Sequence, residues 1–167
     1  MNRLDKTQLE SIIREVLLQQ LGTKCQARPL DEEDKKIPVG ISNRHVHLSG
    51  QDLEILFGRD ARLTKFKDLS QPGQYACQEK VTLVGPKGVI ENVRILGPTR
   101  KATQVEISVS DCFKLGVQAP IRDSGDLTGS AGLTLFGPAG SVTIKEGGII
   151  AARHIHMHPK DAERFGV

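Results

Sequence analysis

The apolar positions of the first 22 residues fall on one helical stripe. Leu9, Ile12, Ile13, Val16, Leu17 and Leu21 follow the three-and-four rhythm of one α-helix face. Thr7 and Glu10 fit a capping box ahead of the stripe, and Gly22 is placed to end it. The spacing predicts an amphipathic helix over 1–22. Residues 23–36 hold Pro29 and the run Asp31-Glu32-Glu33-Asp34-Lys35-Lys36, which reads as an exposed linker. A short helix on a polar tether cannot bury its stripe alone. It must dock on its own domain or on a partner, and the pattern leaves both open.

From Ile37 the rhythm shortens to β-prone runs. Strands are predicted over 39–48, 80–84, 89–95, 104–109, 133–136, 141–144 and 149–156. Gly85-Pro86, Gly97-Pro98, Gly137-Pro138 and Gly147-Gly148 punctuate them. Short helices are predicted after His47 and after His156. Many short strands with regular turns indicate a barrel or sandwich. The chain also echoes itself. Val81-Thr-Leu-Val-Gly-Pro-Lys-Gly88 resembles Leu133-Thr-Leu-Phe-Gly-Pro-Ala-Gly140. Arg44-His-Val-His-Leu48 matches Arg153-His-Ile-His-Met157, and Asp52 and Glu54 match Asp161 and Glu163, all offset by 109 residues (45 to 154). Phe57-Gly58 recurs as Phe165-Gly166 with one residue fewer. The fold class expected is mainly β: two related β-barrel units over 37–167, with short capping helices, preceded by the amphipathic helix.

Composition narrows the function. The 167 residues are 38% hydrophobic and 26% charged, as in a globular protein, with net charge +3. No Trp, one Tyr and no basic run argue against a nucleic-acid partner. No apolar stretch is long enough to span a bilayer, and the N-terminus does not read as a secretion signal. Cys25, Cys77 and Cys112 are widely spaced and odd in number, which predicts reduced thiols. Neither Cys77 nor Cys112 has a neighbouring His in sequence, so a structural role is expected for each.

All five histidines lie in the longer echo: His45, His47, His154, His156 and His158. Side chains at i and i+2 of a strand share a face, about 6.6–6.8 Å apart along the backbone. Their imidazoles can converge on one ion. One such pair alone reads more readily as an outward polar strand; two pairs in matching contexts point to a metal. An open zinc position would take a thiolate, a phosphate or an acyl oxygen. Glu106, in a β-prone run with Val105 and Ile107 on the opposite face, is a candidate carboxylate ligand, although a Glu so placed is often only solvated.

Four segments together resemble the PduL-type phosphate propanoyltransferases: Val39-Gly-Ile-Ser-Asn-Arg-His-Val-His-Leu-Ser49, Gly97-Pro-Thr-Arg-Lys-Ala-Thr-Gln-Val-Glu-Ile-Ser108, Ala119-Pro-Ile-Arg-Asp-Ser-Gly-Asp126 and Arg153-His-Ile-His-Met157. The resemblance runs in order from Ile37 to Val167. It implies two β-barrels with two zinc ions between them, His45 and His47 on the ion that also receives the coenzyme A sulfur, and Glu106, His154 and His156 on the other. It implies phosphate contact by Arg100 and an active-site role for Ser124. Residues 1–22 resemble the segments that carry such enzymes into the lumen of bacterial microcompartments by docking on shell or cargo proteins. In the family the chain runs on past the position of Val167 to another zinc-binding histidine, so the second unit is expected to lack strands and a ligand. His158 stands where a small hydroxyl residue is expected, and reads as a solvated helix-start residue rather than a substitute ligand.

The implied reaction is acyl-CoA plus phosphate giving acyl phosphate plus coenzyme A, with acetyl- or propanoyl-CoA as substrate. Two other classes remain open on the sequence: a zinc-dependent scaffold without catalysis, and a zinc-dependent thioester hydrolase. A homo-oligomer is compatible with either.

Overall fold

Alternating burial sets the strands of this protein, and their pairing closes them on themselves. The computed structural model describes residues 43–167. The predicted helix over 1–22, the linker over 23–36, Cys25 and the opening of the first predicted strand lie outside the described residues. The elements in chain order are β1 (His45–His47), α1 (Gly50–Phe57), β2 (Lys65–Asp68), β3 (Tyr75–Val84), β4 (Val89–Gly97), β5 (Gln104–Glu106), α2 (Val109–Leu115), β6 (Ile121–Arg122), β7 (Ala131–Phe136), β8 (Ser141–Ala151) and α3 (Pro159–Phe165). Pairing runs β3–β4–β1–β5–β8–β7 and returns from β7 to β3, a closed six-strand barrel. Closure leaves those strands without a free edge. β2 pairs with the first half of β3, and β6 with the end of β8. Val46, Leu83, Ile95, Val105 and Leu135 point inward and are fully buried. The helices cap the barrel: Leu53 and Leu56 of α1 and Cys112 and Leu115 of α2 join the same core.

The barrel has an internal two-fold pattern. β1 lies parallel to β4, and β5 lies parallel to β8, while every other pairing in the ring is antiparallel. The unit β1-α1-β3-β4 is thus repeated as β5-α2-β7-β8. The shorter sequence echo falls here, inside one barrel. Gly85 N–H donates to Gly88 O at 3.0 Å, and Gly137 N–H to Gly140 O at 2.9 Å. Each turn then docks on the helix of the other half. Lys87 N–H donates to Leu115 O at 3.0 Å, and Ala139 N–H to Leu56 O at 2.9 Å. A Cβ at Gly85 or Gly137 would overlap those same carbonyls, which is why glycine stands at both places.

The longer echo is a strand-to-helix corner used twice. Ser49 caps α1 by accepting from Asp52 N–H at 3.1 Å. His158, at the equivalent position, caps α3 by accepting from Lys160 N–H at 3.2 Å. Gly58 and Gly166 end the two helices with positive φ, 102° and 72°. The helices expected after His47 and His156 are therefore present, and His158 is a helix-start residue. The described residues close one barrel, and none of the residues of α3 is buried.

Three expectations are corrected. The strands predicted over 141–144 and 149–156 are one strand, β8, ending at Ala151. Gly147 and Gly148 do not turn the chain; they admit the backbone of Thr103 and Ala131, whose oxygens lie 2.7 and 2.9 Å from where a Cβ would stand. The run 104–109 is a strand only to Glu106, because Ser108 and Asp111 form a capping box that starts α2. β2, β6 and α2 were not expected from the pattern.

Candidate metal centre

Antiparallel pairing of β1 with β5 sets His45 opposite Glu106 and His47 opposite Gln104. Alternation then turns all four side chains to one face of the pair. The ligand atoms of His45, His47 and Glu106 lie within 4.8 Å of one another. His45 Nε2 is 3.4 Å from Glu106 Oε2. His47 and Glu106 are buried, and His45 is half-buried.

The ring tautomers follow from the neighbours. His45 Nδ1 faces Asn43 O at 3.2 Å, His47 Nδ1 faces Leu96 O at 3.2 Å, and His154 Nδ1 faces Ala152 O at 2.5 Å. A carbonyl only accepts, so each Nδ1 carries a proton, and Nε2 is the nitrogen available to bind an ion. Histidines that bind metals are held in this way. Burial, with Arg100 and His45 nearby, pushes His47 down to about 3, so its ring is neutral near pH 7. Burial alone would raise the Glu106 carboxyl, but the hydrogen bond and charge that His45 supplies when protonated, the charge of a protonated His47 and the Gln104 amide outweigh it and lower it to about 2. Two imidazoles and a carboxylate are a donor set that fits zinc.

His154 and His156 arrive differently from the expectation. They lie past the end of β8, not on a strand, so the same-face argument does not apply to them. Their rings still converge, with Nε2 atoms 3.0 Å apart. Two imidazoles on one tetrahedral zinc have nitrogens about 3.3 Å apart. The pair lines a cleft of about 350 Å³ together with Asn43, Glu106 and Ser108. The His156 ring is exposed overall, yet its pKa is lowered by partial burial, then by His154, with Glu106, His45 and Arg100 close enough to act on it.

Arg100 is fixed from the backbone outward. Its N–H donates to Leu48 O at 2.8 Å, and it bridges Ser49 in parallel register, directly after the His-x-His strand. Its Nη1 donates to Ser124 Oγ at 3.0 Å. The two residues taken from the resemblance are therefore in contact. The reading of Glu106 as merely solvated fails, because β5 is buried on both faces.

Two residues at the site were missed. Gln104 is 1% exposed and links Glu106 Oε1 at 2.7 Å, Ser124 Oγ at 2.9 Å and Gly125 N–H at 2.9 Å. Its signal was its place two residues before Glu106 in an alternating strand. Asp111 receives Arg44 through Nε at 2.9 Å and Nη2 at 2.7 Å, tying the residue before His45 to the helix after Glu106. Cys77 is fully buried, and burial first, then Glu79, pushes its thiol up to about 11. Cys112 is a core residue, so both thiols have the structural character expected.

Comparison with known proteins agrees with the geometry. Residues 38–167 match the profile of the phosphate propanoyltransferase family. A phosphate propanoyltransferase of Thermotoga maritima is 65% identical over 131 residues, covering 78% of this chain and 62% of that protein. One of Rhodobacter capsulatus is 56% identical over 158 residues, 95% of this chain and 73% of that protein. One of Priestia megaterium is 51% identical over 164 residues, 98% of this chain and 72% of that protein. The Thermotoga match, at 62%, takes in less than two thirds of that relative's length. This chain belongs to the phosphate propanoyltransferase family.

Proposed function

We propose that this chain provides the active site of a phosphate acyltransferase, which interconverts acyl-CoA plus phosphate with acyl phosphate plus coenzyme A. Acetyl-CoA and propanoyl-CoA are the substrates proposed. The observation that carries the reading is one continuous network, Arg100–Ser124–Gln104–Glu106, that joins an anion-binding arginine to the metal-fit cluster.

His45 and His47 would hold one zinc ion, and Glu106, His154 and His156 a second. Bound zinc would stabilise the leaving thiolate of coenzyme A and draw charge from the acyl oxygen. The chain's own groups do the rest. Arg100 holds phosphate by charge-assisted hydrogen bonds and aims one oxygen at the thioester carbonyl. That oxygen forms the new C–O bond as the C–S bond breaks, and the sulfur leaves as thiolate. Neither Cys77 nor Cys112 takes part, because both are buried in the barrel.

The finer parts of the reading belong to the same proposal. Residues 1–22 act as a targeting helix on microcompartment shell or cargo proteins, which would put the enzyme in the lumen. The repeated corner at α3 supports a second barrel unit related to the first, and a homo-oligomer is compatible with both. Replacing Ile13 and Leu17 with Glu is expected to abolish recruitment of a fused fluorescent protein to shells; intact recruitment would sink the targeting role.

Thiol release from acetyl-CoA and propanoyl-CoA, with and without phosphate, tests the main reading. Release that requires phosphate is expected. Release without phosphate would identify a thioester hydrolase, and no release would identify a scaffold.

A further inference from the structure

The polarity of the Ser124 hydroxyl is settled by Gln104. One end of the Gln104 amide lies 2.7 Å from Glu106 Oε1. Gly125 N–H can only donate, so the atom 2.9 Å from it must be the amide oxygen. The amide nitrogen is then the atom that faces Glu106 Oε1. The Gln104 nitrogen therefore also donates to Ser124 Oγ, at 2.9 Å. Arg100 has no acceptor and donates to the same oxygen at 3.0 Å. A hydroxyl oxygen has two lone pairs, and both are taken. The O–H proton is the one arm left, on a side chain that is exposed to solvent.

We propose that Gln104 is a positioning residue that fixes Ser124 as a hydrogen-bond donor to an oxygen of phosphate, beside the Arg100 guanidinium. Neither neighbour of Ser124 Oγ can act as a base, and a lone pair would have to be released before this oxygen could attack. Ser124 thus binds an oxyanion and forms no acyl-enzyme. Glu106 Oε1 is held by the same amide, which leaves Oε2 turned to His45. This inference rests on the reading above that phosphate is a substrate.

The test is calorimetric titration of inorganic phosphate into the full chain with zinc present, paired with kinetics. Ser124→Ala lies on an exposed loop and is expected to weaken phosphate binding about tenfold or more, the effect of one hydrogen bond to a charged group. Gln104→Glu keeps the shape and the acceptor for Gly125 but cannot donate, so the Ser124 proton turns to it. It is expected to weaken phosphate comparably, and adding Ser124→Ala to it should then cost less than twofold more. In the kinetics, KM for phosphate should rise while KM for acyl-CoA stays within about twofold. Gln104→Met repeats the cycle should the Glu variant not fold. Phosphate affinity unchanged in Ser124→Ala, fully additive losses in the double variant, or no phosphate binding by the wild type would each overturn the inference. A wild type that binds phosphate but transfers no acyl group fails the transferase reading alone.

Discussion

At the scale of single residues, the candidate centre is governed by which nitrogen of each ring is free. Three Nδ1 atoms are engaged by backbone carbonyls, and removing the rings should remove the ion. The double variant His45→Ala, His47→Ala is expected to lose one equivalent of zinc in metal analysis. The upward shift in melting temperature that added zinc gives the wild type should also shrink. Unchanged zinc content would exclude this pair as ligands. Arg100→Lys keeps the charge but not the planar fork. It is expected to raise KM for phosphate severalfold and KM for acyl-CoA little; equal rises would argue against phosphate contact. The candidate ligand types were legible from the sequence because histidine is rare here and repeats in register. The burial of Glu106 was not. Its strand is only three residues long, with both faces covered, and alternation alone cannot tell a covered polar face from a wet one.

At the scale of elements, α2 is locked by one side chain with two tasks. Asp111 caps the helix through Ser108 and forks Arg44. Burial would raise its carboxyl, but Arg44 and Ser108 outweigh it and hold it below the usual carboxylate range. A depressed folded value means that the stabilisation is full above the unfolded pKa of about 3.9 and is lost as pH falls through the folded value. Arg44 has 34% of its side chain in water, so the pair is worth less than a fully buried one. Asp111→Asn, which keeps a capping oxygen, is expected to cost about 1–2 kcal/mol near pH 7. Asp111→Ala is expected to cost about 1 kcal/mol more. Denaturant melts should show the gap between wild type and Asp111→Asn narrowing below about pH 4; a gap independent of pH would refute the charge-based account. The glycines divide in the same manner. Gly137→Ala is expected to destabilise by about 1–3 kcal/mol, because the new methyl meets the Leu56 carbonyl. Gly50→Ala, with nothing within 4 Å, should be neutral or gain up to about 0.5 kcal/mol. Equal effects at the two sites would contradict the packing described. Helix α2 escaped the sequence reading because Val105, Ile107 and Val109 continue a strand-like alternation across the Ser108 cap.

At the scale of the whole molecule, the barrel was legible in its strand content but not in its connections. The Gly-Pro echo relates two halves of a single barrel. Short echoes reveal that two pieces are alike; they carry no information about which strands pair. The position of β1 between β4 and β5, parallel to one and antiparallel to the other, had no local signal. That position is what brings His45 and His47 beside Glu106.

The crossed docking of the two hairpin turns has a consequence for how this protein comes apart. Each turn grips a last-turn carbonyl, Leu56 O or Leu115 O, of a helix that belongs to the opposite half, so each half holds down the other's helix end. Loosening α1 frees the Gly137 turn at the tip of β7 and β8, and β7 is paired to β3, whose own turn holds α2. Partial opening of one half is thereby transmitted to the other, and the barrel should unfold in a single concerted transition. The amides of Lys87 and Ala139, far apart in sequence, would then exchange with solvent at one common rate, as two ends of the same clasp.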